Sequence, residues 1–441
     1  MPNPIVQPTI HSRRNFLRTS TTAAGVMAIS QLPVAQFAHA AGSGVIKIGL
    51  IGCGGRGSGA ALNALNAGKD VRLVALCDLF PDWLAAARER FQKAKPDQVD
   101  IKDDHCFSGF DGYQQLIASD VDVVLIAVAS HFHPVMIKAA VTAGKHVFCE
   151  KPHGLDIPGL KLSMAASDVA KQKNLSLVSG LCWRFDPGVR ETMKRVQDGA
   201  IGEIVAIQEN YLSQPYIVRE RQAGWSELEY QFRNWYHFNW LSGDQTAQQL
   251  IHSLDKASWA MGDKPPKRVY GMGGRQTALD SKFGDQFDHH AVIYEYENGV
   301  RVYGFTRDQT DCYRETNDFI LGTKGRCTLL NYRIEGETNW RYEKPKQNMY
   351  DLEHQELFEG IRSGKPLHCG HYMHQSTALA IAAQIACYTG QMLTWNDVLN
   401  SKRSFVLRRY AWDAEPPIKP GPDGRYGTAL QGQPEYDTWK L

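Results

Sequence analysis

Apolar positions along the chain follow two rhythms. In the first half, short and nearly continuous apolar runs at 45–51, 71–77, 121–128 (VDVVLIAV), 145–149 and 175–178 alternate with longer amphipathic stretches. Runs with so few polar positions belong to parallel strands covered on both faces. The stretches between them, at 60–67, 83–94, 112–117, 134–144 and 160–172, have helical length and pattern. Pro134 opens one of them and Gly144 closes it, the preferred order. Strand and helix taken alternately predict an α/β fold built on a doubly wound parallel sheet.

The second half changes period. Residues 203–211 (EIVAIQENY) alternate, as a half-exposed strand does. Further strands are expected at 291–296, 300–306, 318–321 and 326–330, separated by glycine turns. Residues 372–388 form an apolar helix, and the Pro- and Gly-rich tail after Trp412 is expected to run extended over the surface.

Candidate chemistry first appears where the first apolar run stops. Gly52-Cys53-Gly54-Gly55-Arg56-Gly57 lies between a strand and a helix, and the second strand ends on Asp78. Gly52 permits the tight turn, Gly54 lets backbone approach a pyrophosphate, and Gly57 lets helix and strand pack closely. The helix N-terminus adds free N–H groups and a positive dipole end. Asp78 would accept from adenosine ribose hydroxyls and repel a 2′-phosphate. NAD is therefore favoured over NADP, although Arg56 could help a phosphate.

Composition narrows the remaining classes. The 441 residues suit two domains, and a net charge of +2 gives no reason to expect nucleic acid or an anionic membrane as partner. No stretch after the N-terminal region has the roughly 18 uncharged apolar residues of a membrane span. Nine cysteines are scattered without a C-x-x-C pair. His289-His290 lack companion ligands at a recognisable spacing, so no metal site is expected. At the N-terminus, Ser12-Arg13-Arg14-Asn15-Phe16-Leu17-Arg18 resembles a twin-arginine export signal, followed by an apolar stretch at 19–32 and Ala38-His39-Ala40 before a cleavage point. That route carries folded proteins, which argues against a disulfide framework. It also implies a tightly held cofactor, because an exported enzyme cannot draw on a cytosolic NAD pool.

Ala143-Gly144-Lys145-His146-Val147-Phe148-Cys149-Glu150-Lys151-Pro152 makes the chain resemble a known family. With the glycine fingerprint, Gly199-Ala200-Ile201-Gly202-Glu203-Ile204 and Gly322-Thr323-Lys324-Gly325, it is similar to the glucose-fructose oxidoreductase / inositol dehydrogenase / rhizopine catabolism (Gfo/Idh/MocA) family over about 45–407. The resemblance implies a Rossmann domain followed by an α/β domain with an open, mostly antiparallel sheet, and a homo-oligomer joined through that sheet. The expected boundaries are 1–40 for the signal peptide, 44–200 for the NAD-binding domain and 201–441 for the substrate-binding and oligomerisation domain with its tail.

The resemblance also implies roles. Lys151 holds the reacting oxygen, in a setting that lowers its pKa, and Glu150 lies at the cofactor. His252 is the general acid/base on a helix whose acid, four residues earlier, is here replaced by Gln248; Asp244 is a substitute charge. Ala129, His131 and His133 stand where the family lines the nicotinamide pocket, with helix capping as the other reading of the two histidines. Trp225, Phe232, Trp235, Tyr236, His237, Phe238 and Trp240 crowd before His252. They suit either sugar stacking or an aromatic subcore. Arg184, Tyr211 and Tyr313 are further pocket candidates.

The expected activity is hydride transfer between nicotinamide and a secondary hydroxyl of a sugar, glycoside or polyol. Two rivals share the fold: a redox-elimination glycosidase and a non-catalytic sugar sensor. The glycosidase branch typically has Val in place of the Lys151 lysine and a Tyr-Pro-Thr-His-Gly stretch, neither of which is present.

Overall fold

The strands of the first half pair in the order β3-β2-β1-β4-β5-β6, all parallel. They are β1 (Ile46–Ile51), β2 (Val71–Asp78), β3 (Cys106–Ser108), β4 (Val123–Ile126), β5 (His146–Cys149) and β6 (Leu177–Ser179). Helices α1 (Gly55–Asn66), α2 (Pro81–Ala94), α3 (Gly112–Ala118), α4 (His133–Thr142) and α5 (Ile157–Gln172) connect them. Ile48, Leu50, Val124 and Phe148 are fully buried, as strands covered on both faces require. Strand order reverses between β1 and β4, and such a switch point opens a crevice at the strands' carboxyl ends.

The computed structural model describes residues 44–432, so the twin-arginine segment lies outside the described residues. Two elements differ from the pattern-based reading. Helix α1 starts at Gly55, inside the glycine turn, five residues before the expected 60. The β4 ladder stops at Ile126, and Val128 and Ala129 leave the sheet to face the crevice.

After α6 (Pro187–Gln197), the second half forms a nine-stranded sheet in the order β14-β13-β12-β11-β7-β10-β9-β8-β15. Its strands are β7 (Ile204–Ser213), β8 (Arg268–Gly274), β9 (His289–Glu295), β10 (Arg301–Asp308), β11 (Glu315–Gly322), β12 (Gly325–Thr328), β13 (Arg333–Gly336), β14 (Trp340–Arg341) and β15 (Leu393–Thr394). Only β7 and β10 pair in parallel, so the sheet is mostly antiparallel. Between β7 and β8 come α7 (Glu227–Arg233), a π-helical turn at Thr246–Leu250, and α8 (Ile251–Ala260). Helices α9 (Met349–Arg362) and α10 (Gly370–Thr389) follow β14.

One face of this sheet packs on α8 and α10, burying Val292, Val302 and Ile320. The alternate positions turn the other way. Across that face Phe319 and Tyr303 flank Gln208, Tyr303 pairs Ile293, and Phe305 pairs Ala291 beside Met272, which is 64% exposed. Helix α9 crosses back to the parallel sheet, where Asn63 Nδ2 of α1 donates to Asp351 at 2.6 Å. All nine cysteines are free thiols. The segment 401–432 has neither helix nor strand, as expected of the tail, yet it buries Tyr426 and Ala429.

Candidate active site

A cavity of about 420 Å³ lies at the carboxyl edge of the parallel sheet, and the π turn, the loop ahead of it and α8 line its far side. At its nucleotide end the glycine turn leaves room for a phosphate group. Gly52 adopts φ +98°, and a Cβ there would meet Ala127 O at 2.3 Å. At Gly57 a Cβ would lie 1.8 Å from Gly52 O, so α1 can sit against β1 only without a side chain. Gly52, Gly54, Gly55 and Arg56 line the cavity and open space surrounds Gly55, whereas Gly57 contributes by packing.

Asp78 sits at the end of β2, also on the wall. Its carboxylate accepts from Cys53 N–H at 2.6 Å and Phe80 N–H at 2.9 Å. Burial nevertheless pushes its pKa up to about 6. Cys53, expected at the cofactor, therefore spends its N–H on Asp78 and turns its thiol into the core. The glycine cradle, the open helix N-terminus and Asp78 fit an NAD molecule lying from α1 to β2.

The other end holds ionisable groups. Lys151 follows β5, and its Nζ donates to the main-chain carbonyl of Gln248 in the π turn. Burial lowers the lysine to about 8; the Arg56 charge works in the same direction, while Glu150 and Cys182 oppose it. His252 stands in the first turn of α8, with Nδ1 buried and unpartnered among the described residues. Burial, then the charges of Lys151, Lys256 and Arg56, hold its pKa well below the ordinary value, so the ring is neutral. Gln248 and His252 both face the cavity, as the spacing of four predicts, although the turn between them is π before it is α. The Gln248 amide donates to Ser130 Oγ at 3.0 Å and to Ser242 O. Gln249 reaches the cavity as well, and its Oε1 has no hydrogen-bond partner among the described residues.

Glu150 lines the wall and pairs with Arg56 Nε at 2.8 Å, while Tyr350 of α9 lies under the guanidinium at 4.8 Å. Arg56 thus turns its guanidinium toward Glu150 and Tyr350. His133 is buried on the wall between Pro152 O (2.6 Å) and Val128 O (3.1 Å). Burial drops its pKa to about 4, and a neutral ring can donate to only one of those carbonyls. The shorter contact marks Pro152 O as the acceptor, so His133, at the start of α4, holds the turn that carries Lys151.

Four expected pocket residues lie elsewhere. His131 points outward, with Nε2 at 2.6 Å from Tyr410 Oη and its ring edge-on to Trp240. Arg184 is locked by Asp255 and Asp263, at 2.9 Å and 2.7 Å, and stacks on Tyr372 and Trp259 in the interface of α8 and α10. Asp244 adopts φ +65° and accepts from Thr246 N–H at 2.7 Å, so it caps the π turn and contributes no charge to His252. Tyr313 is 70% exposed on the surface. In each case, sequence proximity to the site was outweighed by a closer polar partner or by solvent.

The aromatic run divides between its two expected roles. Trp235 and Tyr236 stack at 3.8 Å on the cavity wall, and Tyr216 stacks on Tyr236 at 3.9 Å. Tyr211 and Phe232 join them on the wall. Phe238 and Trp240 turn into a separate apolar cluster with Leu228, Tyr230 and Tyr426. Sequence reasoning missed Tyr216, Gln249 and Tyr350: the first lies in a loop without periodicity, the last on a helix that was not predicted.

Residues 46–178 match the profile of an oxidoreductase family with an NAD-binding Rossmann fold, and 189–328 match the GFO/IDH/MocA C-terminal domain. An inositol 2-dehydrogenase of Rhizobium meliloti is 28% identical over 306 residues, 68% of this chain and 81% of that protein. A glycosyl hydrolase family 109 protein of Shewanella amazonensis is 30% identical over 344 residues, 74% of this chain and 67% of that protein. The structure of Lactobacillus casei myo-inositol dehydrogenase with NAD(H) and myo-inositol superposes with a TM-score of 0.60 at 18% identity, over 79% of this chain and 96% of that one. A cradle shaped for a dinucleotide, a lysine and a histidine meeting beside it, and both halves of one family profile lead to a single assignment: the chain belongs to the Gfo/Idh/MocA family of NAD-dependent oxidoreductases.

Proposed function

We propose that the protein oxidises a secondary hydroxyl of a sugar, glycoside or polyol, with His252 taking the hydroxyl proton and Lys151 holding the oxygen. The observation that carries this is the convergence of Lys151 Nζ, the neutral His252 ring and Gln248 on the cavity shared with the glycine cradle. NAD, when bound, supplies the hydride-accepting ring. Gln248 O fixes one N–H of the lysine, and the remaining N–H groups face negative charge growing on the substrate oxygen. The neutral imidazole is ready to accept a proton.

The wall supports the substrate class. Tyr216, Tyr236 and Trp235 offer ring faces for sugar C–H groups, and Gln248 and Gln249 offer neutral hydrogen-bonding groups. Relatives named as inositol 2-dehydrogenases point the same way. The retained Lys151 favours dehydrogenation over redox elimination. The test is an absorbance scan of purified protein at the NADH band while candidate polyols and glycosides are added. Reduction of bound NAD by at least one of them is the expected result; silence across inositols, hexoses and glycosides would count against the reading.

Export by the twin-arginine route and tight cofactor retention belong to the same proposal, on the strength of Arg13-Arg14 and the apolar stretch behind them. Cell fractionation checks the first; recovery of the protein in the cytoplasm alone would overturn it. The apolar open face around Tyr303, Phe305 and Phe319 supports association of two copies through the nine-stranded sheet. Sedimentation at the mass of one chain would rule that out.

A further inference from the structure

The adenosine end of the cavity, marked by Asp78, has a wall that the glycine motif does not explain. Phe80, Phe110, Phe132 and Phe232 line it. The first three rings come from loops after β2, β3 and β4, and Phe232 comes from α7 beyond the second sheet's first strand. Behind this layer runs the irregular C-terminal segment. Trp412 lies 5.7 Å from Phe80, 5.0 Å from Phe110 and 6.2 Å from Phe232 between ring centroids. Tyr410 packs on Phe132 at 5.3 Å, and its hydroxyl meets His131 Nε2 at 2.6 Å. Neither Trp412 nor Tyr410 touches the cavity; they form its outer layer, with Trp412 still 39% exposed.

The segment is fastened on both sides of these contacts. Upstream, Phe405 N–H donates to Asp156 Oδ2 at 2.8 Å, the side chain that also caps α5. Downstream, Gln231 Nε2 of α7 donates to Ile418 O at 2.8 Å. Further on, Tyr426 is buried against Phe238 at 5.0 Å and bonds Glu227. The chain thus starts on the parallel-sheet half, crosses the adenosine end and finishes on the other half. A segment with no ladder of its own stays ordered only through such contacts, which must offset the backbone entropy lost on ordering it. Those contacts concentrate on the outside of the nucleotide wall.

We propose that residues 403–418 are a strap that locks the adenosine half of the cofactor in the cleft, with Trp412 as its central contact. This rests on the NAD-binding reading and adds a device for retention. The strap makes the cofactor a resident group, so each turnover must end with a second substrate or redox partner reoxidising it in place.

The test uses the full chain loaded with labelled NAD and chased with excess unlabelled NAD. Wild-type protein is expected to keep its label through gel filtration. Trp412→Ala should release it roughly 10–100-fold faster, the range that follows from losing a packed aromatic contact. Tyr410→Phe, which removes the bond to His131 and the acceptor of the Leu407 N–H at 3.2 Å while keeping the ring on Phe132, should accelerate release by about 2–10-fold. Wild-type release from a folded Trp412→Ala overturns the proposal; if that variant fails to fold, unchanged release from Tyr410→Phe overturns it instead. Exchange within seconds in the wild type removes the strap but leaves the NAD reading intact, whereas no NAD binding at all removes both.

Discussion

At the nucleotide end of the cleft, the cradle and its acid lie within the thirty-three residues from Ile46 to Asp78. At the end proposed for catalysis, Lys151 comes from the parallel sheet, while Gln248 and His252 come from a π turn and a helix about a hundred positions later. The first end is made of backbone: glycines that admit no Cβ, N–H groups of a helix, and one carboxylate. The second is made of side chains brought together by two sheets. Cofactor binding and chemistry are therefore separable, because few residues serve both. Arg56 is the exception, since it starts in the glycine turn and ends on Glu150.

The sharpest way to break this division is at Lys151. Lys151→Ala should lower turnover by roughly 10²–10⁴-fold while NAD binding is retained, and His252→Ala should behave alike. If both act on one proton transfer, the double variant should lose far less than the product of the single losses. Wild-type reduction of bound NAD by either variant would place the chemistry elsewhere, and loss of NAD would show that the two ends are not separate. A smaller effect is expected at Asp78. Asp78→Ala should weaken NAD roughly tenfold and improve NADP relative to it, because a hydroxyl acceptor and a repulsive charge disappear. It also strips Cys53 and Phe80 N–H groups of their acceptor, so Asp78→Asn is the control that separates charge from shape. Unaltered nucleotide preference in both variants would contradict the assignment.

The mildest test is the pH profile. Burial lowers Lys151 to about 8, so its cation is present below that pH and is lost as pH rises through it. His252 is held neutral down to well below its ordinary value. Sugar oxidation, which needs the lysine cation and the neutral imidazole, should be level through neutrality and decline above about pH 8. That decline should vanish in Lys151→Ala; its persistence would assign the limb to another group.

Much of the parallel sheet was legible because apolar runs, glycine stops and a proline start coincide there. β3 was not, since Cys106–Ser108 is three residues long and none of them is fully buried. Helix α9 escaped because its polar positions, such as Glu353 and His354, are buried, which no amphipathic pattern announces. At the site, Lys151, Gln248 and His252, which the motifs named, line one cavity. His131, Arg184 and Asp244 were misplaced for a common reason: their residue types suit a pocket, but Tyr410, Asp255 and the Thr246 N–H are where they find partners. Tyr410 and Asp255 are too distant in sequence to leave a local signal, whereas the Thr246 N–H is two residues from Asp244 and its turn was simply not read.

The bond from Lys151 to the Gln248 carbonyl has an evolutionary side. A main-chain oxygen is the same whatever residue carries it, so the anchor of the amine is inherited with the shape of the turn and not with a codon. A substitution at position 248 that kept the turn would leave the lysine's anchor in place. Such a site can change the hydroxyl pattern it greets while keeping the step it performs.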